Sequence, residues 1–465
     1  MLVLGLGETG LAAARWLAGR GAHLRVADSR AQPPGLAALR KAVPDVELHL
    51  GNWRDASFEG VDLIVISPGV PRETPQVQRA LAGGMTVVGD VELFARTLPA
   101  LKRPQIIAIT GTNGKSTVTA LVGALCRAAG LDVEVAGNIS PGVLDALAAR
   151  EAGEAAGGKP AAAWVLELSS FQLESTESLN ASAATMLNLS EDHLDRYAGM
   201  REYAAAKARI FQGEGVQVLN RDDPASLAMA MALPGRRILS FGLDAPRPQM
   251  GVDEGADNFG LIQRDGERWL AQGGKALIAM NELGIAGTHN AANALAALAL
   301  CSAIGVQGPQ LLAALREFRG LPHRVELVGQ RGGVRFYDDS KGTNVGSTVA
   351  ALAGLAHGEA KVVLIAGGEG KGQDFSPLQS AVAKAARAVV LIGRDADLIA
   401  KVVTGTGVVI KRAGSMEDAV NGAAALARAG DAVLLSPACA SFDMFDNYKH
   451  RGDVFRRAVE ELTHA

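Results

Sequence analysis

Short runs of aliphatic residues alternate with Ala- and Leu-rich stretches of helical character along the whole chain. The runs are "LVLGLG", "HLRVAD", "VELHLG" and "VDLIVISPG" in a first block, then "QIIAIT", "WVLELSS", "TMLNLS" and "VQVLN" in a second. A third block holds "VRFYDDS", "KVVLIAGG", "AVVLIG" and "AVLLSPA". Strands that alternate with helices predict parallel sheets covered by helices, so the expected class is α/β. The first block ends near Phe94 to Pro104, and the second runs to the helix after Thr288. "FRGLPHR", with Gly320 and Pro322, reads as a linker. The expected domains are therefore 1–95, 96–320 and 321–465, the first and third resembling each other as doubly wound units. "AAREAGEAAGGKP", at 148 to 160, reads as a solvated insertion.

Composition sharpens this only in places. The chain has 465 residues, enough for about three domains of ordinary size. Lys+Arg 46 against Asp+Glu 49 leaves no field that would favour a nucleic acid or an anionic membrane, so an acidic ligand must meet local cations. Cys126, Cys301 and Cys439 have no metal-type spacing and an odd count, which predicts reduced thiols. Without a run of about 18 apolar residues or a secretory leader, no membrane insertion and a cytoplasmic location are expected.

The first candidate chemistry is "GLGETG", with Gly5, Gly7 and Gly10 in G-x-G-x-x-G spacing and Asp28 closing the next strand. Such glycines let backbone approach a phosphate at a helix N-terminus, and the acid can accept ribose or base hydrogen bonds. NAD and a UDP-sugar both answer to that description, and the motif does not choose between them. A tight turn with no ligand is the bland alternative.

"IAITGTNGKSTVT" is more specific. Gly111 to Ser116 joins a strand to a helix, where backbone amides and the helix dipole gather phosphate oxygens. Lys115 would neutralise the β- and γ-phosphates of ATP, and Ser116 or Thr117 offers a hydroxyl to the magnesium that accompanies it. The loop is shorter than the common G-x-x-x-x-G-K-[ST] form, since only Thr112 and Asn113 separate Gly111 from Gly114. Downstream, Glu167 ends a buried strand and could meet a metal. His193 follows another strand, although magnesium prefers oxygen. Taken alone, His193 reads as a hydrogen-bonding loop residue and Lys207 as a solvated helix lysine.

Together, "GTNGKST", "LELSSFQLE", "NLSEDHLDRY", "THNAANALAA", "LPHRVE", "DDSKGTN", "GGEGKGQDF" and "SPACASFDMF" resemble the Mur ligase family, in family order across all three blocks. The pattern is most similar to the members that add D-glutamate to UDP-N-acetylmuramoyl-L-alanine. The resemblance implies a Rossmann-like N-terminal domain, a central P-loop ATPase-type domain with a parallel sheet, and a Rossmann-like C-terminal domain. It implies an ATP-dependent amide ligase that works through an acyl phosphate, with two magnesium ions and a monomeric chain.

Carried over by position, the resemblance places Gly111, Thr112, Asn113, Gly114, Lys115, Ser116 and Thr117 on the ATP phosphates. Ser116 and Glu167 take one magnesium, and His193 and a carbamylated Lys207 the other. Asn290 and Asn293 face adenine, Arg324 and Asp339 lie near the ribose and phosphates, and Lys341 lies near the transferring phosphoryl group. Gly7, Glu8, Thr9, Asp28, Ser29, Arg30, Ser67, Gly69 and Asn138 bind the UDP-substrate. Thr343, Lys371, Ser441 and Tyr448 hold the incoming amino acid, Tyr448 standing where the family pattern has Phe. Three other readings compete. A nicotinamide dehydrogenase leaves the phosphate loop without work, and a non-catalytic nucleotide binder has no need of Glu167, His193 and Lys207 together. A folylpolyglutamate-synthase-like ligase shares the central chemistry, but "ADSR" and "SPG" favour a UDP ligand over a pterin.

Overall fold

The computed structural model describes residues 1–98, 103–193, 196–230, 235–246, 258–285, 287–356 and 359–464. They form three sheets in chain order. The first contains β1 (Leu2–Leu4), β2 (Arg25–Asp28), β3 (Glu47–Leu50), β4 (Leu63–Ile66) and β5 (Thr86–Val88), all parallel, in the order β3-β2-β1-β4-β5. Strand order reverses between β1 and β4, so a crevice opens at their C-terminal ends. The helix Glu8–Ala18 packs close to β1 because Gly10 has no side chain: a Cβ there would lie 1.8 Å from the Gly5 carbonyl oxygen.

The second sheet holds β6 (Gln105–Thr110), β7 (Val133–Gly137), β8 (Ala163–Glu167), β9 (Ala183–Met186), β10 (Val216–Asn220) and β11 (Ile238–Phe241). It continues with β12 (Phe259–Arg264), β13 (Glu267–Gln272) and β14 (Lys275–Ala279), in the order β14-β13-β12-β11-β10-β9-β6-β8-β7. The expectation of a wholly parallel sheet fails at one edge, where β12, β13 and β14 form an antiparallel meander. Two-residue turns allow it: Asp265 and Gly266 both have positive φ, +53° and +80°, as a tight hairpin requires. The segment at 148 to 160 is solvated as expected: its first residues complete the helix Val143–Ala155, and the exposed stretch continues through the residues that follow it.

The third sheet runs β15 (Glu326–Arg331), β16 (Val334–Asp338), β17 (Val362–Gly367), β18 (Ala386–Ile392), β19 (Val409–Arg412) and β20 (Ala432–Leu435), in the order β15-β16-β20-β17-β18-β19. All pairs are parallel except β15 with β16. Apolar burial divides the molecule unevenly. One core runs continuously from the first sheet into the second, with Phe94 against Trp164 at 4.8 Å between ring centroids. The third sheet has separate cores on its two faces. Between it and the helix Pro309–Glu317 the chain turns at Gly320 (φ +85°), His323 (φ +62°) and Val325 (φ +49°).

Candidate active site

β6 delivers the phosphate loop to the N-terminus of the helix Lys115–Ala128. Gly114, at φ +83°, caps that helix without a side-chain acceptor, so the first-turn amides have no intrahelical partner and can take up phosphate oxygens. The position also needs glycine for space, because a Cβ would sit 2.7 Å from Asn293 Oδ1. Lys115 Nζ donates to the carbonyls of Gly111 (2.8 Å) and Thr112 (2.9 Å). Its burial, with Arg324 nearby, pulls its pKa below the ordinary lysine range against the pull of Glu167 and Asp192. Asn188, which the sequence reading did not single out, braces the loop from β9. Its Oδ1 accepts from the Asn113 amide (2.8 Å) and its Nδ2 donates to the Asn113 carbonyl (3.0 Å).

Around the loop, Glu167 ends β8 almost fully buried. Its Oε1 accepts from Asn138 Nδ2 at 2.8 Å, and its Oε2 has no hydrogen-bond partner among the described residues. A buried carboxylate oxygen left bare is costly, and a hard divalent cation is the natural partner for it. Ser116 Oγ accepts from Arg324 Nη2 at 2.6 Å, so in this arrangement that hydroxyl belongs to the third domain. His193 sits at φ +56° with its ring edge-on to Phe171, centroids 4.8 Å apart. Lys207 is no solvated helix lysine. It is 1% exposed, and its Nζ donates to the Gly111 carbonyl (2.9 Å) and to Thr110 Oγ1 (3.4 Å). Burial, and then the charge of Lys115, drive its pKa well below the usual lysine value.

Lys115, Glu167, His193 and Lys207 line a cleft of about 450 Å³ together with Asn290 and Asn293, whose side chains meet at 3.1 Å. Arg324, Asp339, Lys341, Thr343 and Lys371 enter it from the third domain. Burial pushes the Asp339 carboxyl up to about 7 and Lys341 down to about 8. Four expected residues, Gly111, Ser116, Ser441 and Tyr448, are not on the cleft wall. Ser441 is buried behind it, and Tyr448 begins the helix Tyr448–His464 with its ring centroid 4.0 Å from Lys341 Nζ. The third domain also reaches the phosphate loop directly. Asn344 Nδ2 (3.1 Å) and Ser347 Oγ (2.8 Å) both donate to Asn113 Oδ1.

A second cavity, of about 760 Å³, opens at the crevice of the first sheet and is lined by Gly7, Glu8, Thr9, Asp28, Ser29, Arg30, Ser67 and Gly69. Asp28 lines this cavity with both carboxylate oxygens already engaged. Its Oδ2 accepts from the Leu6 amide (2.7 Å), and Arg30 Nε and Nη2 (2.8 and 2.7 Å) occupy both oxygens. With the Arg30 amide also on Oδ1, the carboxylate shapes the turn that presents Arg30. Asn138 lines both cavities and touches Glu167, so a long ligand seated in the second would end at the buried carboxylate of the first.

Three α/β domains around a phosphate loop, with a second cavity leading to the same carboxylate, define the class of ATP-dependent ligases. Family models match in chain order: "Mur ligase MurD-like, N-terminal domain" over 1–89, "Mur ligase middle domain" over 109–301 and "Mur ligase, glutamate ligase domain" over 323–439. The chain belongs to the Mur ligase family. It is 57% identical to the UDP-N-acetylmuramoylalanine--D-glutamate ligase of Nitrosospira multiformis, over 99% of this chain and 95% of that one. It is 56% identical to the enzyme of the same name from Methylobacillus flagellatus, over 99% and 97%. Its fold is shared with solved structures of lower identity. One is UDP-N-acetylmuramate-alanine ligase MurC from Thermotoga maritima (19% identity, TM-score 0.59, 99% of each chain). Another is MurF from Acinetobacter baumannii (16% identity, TM-score 0.61, 98% of this chain and 93% of that one).

Proposed function

We propose that the chain joins D-glutamate to UDP-N-acetylmuramoyl-L-alanine, forming an amide at the expense of ATP in peptidoglycan precursor synthesis. The observation that carries this is the meeting of two cavities at Asn138 and Glu167, beside the phosphate loop and Lys207. Relatives more than half identical over nearly the whole chain carry the corresponding name.

A carboxylate is a poor acyl donor because its leaving group would be oxide. The alanyl carboxylate oxygen therefore attacks the γ-phosphorus of ATP, and ADP leaves. The glutamate amine then attacks the acyl carbon, loses a proton and expels phosphate. Most of the catalysis is positioning and charge neutralisation. Lys115 and the loop amides hold the β- and γ-phosphates, with Thr112, Asn113 and Thr117 shaping the loop, and Lys341 and Arg324 close from the third domain. Asn290 and Asn293 take adenine, with Asp339 beside the ribose. Thr343 and Lys371 meet glutamate at the cleft wall, backed by Ser441 and Tyr448.

Magnesium suits the bare Oε2 of Glu167, and two ions, one with Ser116 and Glu167 and one with His193 and carbamylated Lys207, supply neutralisation of the crowded phosphate charge. Lys207 meets the chemical condition for carbamylation. Its burial favours the uncharged amine, which adds to carbon dioxide with loss of a proton and becomes an oxygen donor. We assign the UDP-substrate to 1–95, ATP to 96–320 and glutamate to 321–465, in a monomeric, cytoplasmic enzyme. Among the described residues no helix is long and apolar enough to cross a membrane. Phosphate release with UDP-N-acetylmuramoyl-L-alanine and each glutamate enantiomer tests the reading. Turnover with D-glutamate is expected, and preference for L-glutamate, lysine or diaminopimelate would overturn it.

A further inference from the structure

Arg196 lies three residues beyond His193 and is not among the residues lining either cavity, yet it touches the walls of both. Its Nη1 donates to the Pro68 carbonyl and its Nη2 to the Val70 carbonyl, each at 3.3 Å. Those carbonyls belong to the turn after β4, whose residues Ser67 to Val70 line the second cavity. Nη2 also donates to Glu174 Oε2 at 3.3 Å, and Glu174 Oε1 accepts from Tyr197 Oη at 2.5 Å. The guanidinium stands 4.6 Å from the centroid of Phe171, the same ring that the His193 imidazole meets edge-on. The side chain is 12% exposed. One planar fork thus ties a turn of the first domain to the helix that follows Glu167 and to the His193 loop.

We propose that Arg196 is a positioning residue for the UDP-substrate: it holds the 67–70 turn in its binding conformation and links that turn to the His193 loop. The inference rests on the UDP-substrate reading of the second cavity. A guanidinium can serve two carbonyls, a carboxylate and an aromatic face from one plane, while an ammonium on a flexible stem cannot. The position therefore requires the shape of the fork as well as the charge that meets Glu174 and, at 4.0 Å, Glu73. Lysine separates the two, because it would preserve any long-range attraction for the substrate diphosphate and lose the fork.

The test is calorimetric titration of UDP-N-acetylmuramoyl-L-alanine into the full chain without ATP or magnesium, using the native protein, Arg196→Lys and Arg196→Ala. Both variants should weaken binding by about tenfold or more. Affinity for a non-hydrolysable ATP analogue should stay within about twofold. In steady state KM for the UDP-substrate should rise by the same factor as Kd, with kcat changed by less than about threefold. Native affinity in Arg196→Lys would overturn the proposal in favour of simple charge attraction. Native affinity in both variants, or equal losses for both ligands alongside a lowered melting temperature, would reduce Arg196 to a structural role and overturn it too. A native protein that does not bind the UDP-substrate would instead sink the functional reading on which this rests.

Discussion

Replacing Lys115 with alanine removes the cation nearest the transferring phosphoryl group, and the structure bounds the effect. At about 4 Å from a phosphate oxygen, with an effective dielectric constant of about 20, a unit charge is worth about 4 kcal/mol. The native lysine does not deliver all of it. To reach the phosphate it must leave the carbonyls of Gly111 and Thr112, two hydrogen bonds worth about 1 kcal/mol each. The net loss is therefore about 2 kcal/mol, or roughly thirtyfold in rate. The fold should persist, since the apolar face of the helix Lys115–Ala128, through Val118, Leu121, Val122 and Leu125, is untouched. Single-turnover phosphate release at saturating ATP, with circular dichroism as the control for folding, measures this. A folded variant that turns over within about threefold of native would refute the reasoning, because the loop would then not be the one that holds the reacting phosphates.

Lys207→Ala should lose at least about a hundredfold in activity while ATP binding, followed by a fluorescent analogue, is retained. Formate or acetate should restore part of the turnover by replacing the missing oxygen donor, and no loss, or a loss without rescue, would count against carbamylation. Asp90, at the start of the helix Asp90–Thr97, is held by burial at about 6 against an ordinary 3.8, with Gln172 Nε2 its donor at 3.1 Å. A carboxyl raised on folding costs nothing below its unfolded pKa and increasingly more as pH passes from about 4 to above about 6. Asp90→Asn should therefore stabilise by about 2–3 kcal/mol more at pH 8 than at pH 4. Urea unfolding of both proteins at the two pH values checks it, and a pH-independent difference would exclude the linkage.

The parallel strands were readable because continuous aliphatic runs between helical stretches admit few other structures, and the phosphate loop because its residues are consecutive. The antiparallel edge was readable in principle. Asp265-Gly266 between "FGLIQR" and "ERWLAQ" is a hairpin turn signal, and the expectation of unbroken strand–helix alternation overrode it. Contacts between distant residues were not legible. Nothing local to Asp28 announces that the Leu6 amide, 22 residues back, will share its carboxylate with the Arg30 fork. Lys207 has the sequence surroundings of a surface lysine, and its burial comes from the packing of its helix on the helix Ser170–Leu173 and the reach of its Nζ to Thr110 and Gly111. Asn188, Arg196 and Asp90 act through partners far away in the chain, and no spacing rule reaches them.

The pair of hydrogen bonds on Asn113 has a consequence for fuel economy. Asn344 and Ser347 belong to the third domain, which carries its own cores and meets the rest of the molecule mainly around the cleft. Their hold on the phosphate loop, like that of Arg324 on Ser116, exists only while that domain is docked. A nucleotide seated on an undocked chain would face a loop without its outer braces and without the third-domain cations Arg324 and Lys341. Were the third domain to undock, all of these contacts would be lost at once, and the interlock would act as a guard against idle hydrolysis.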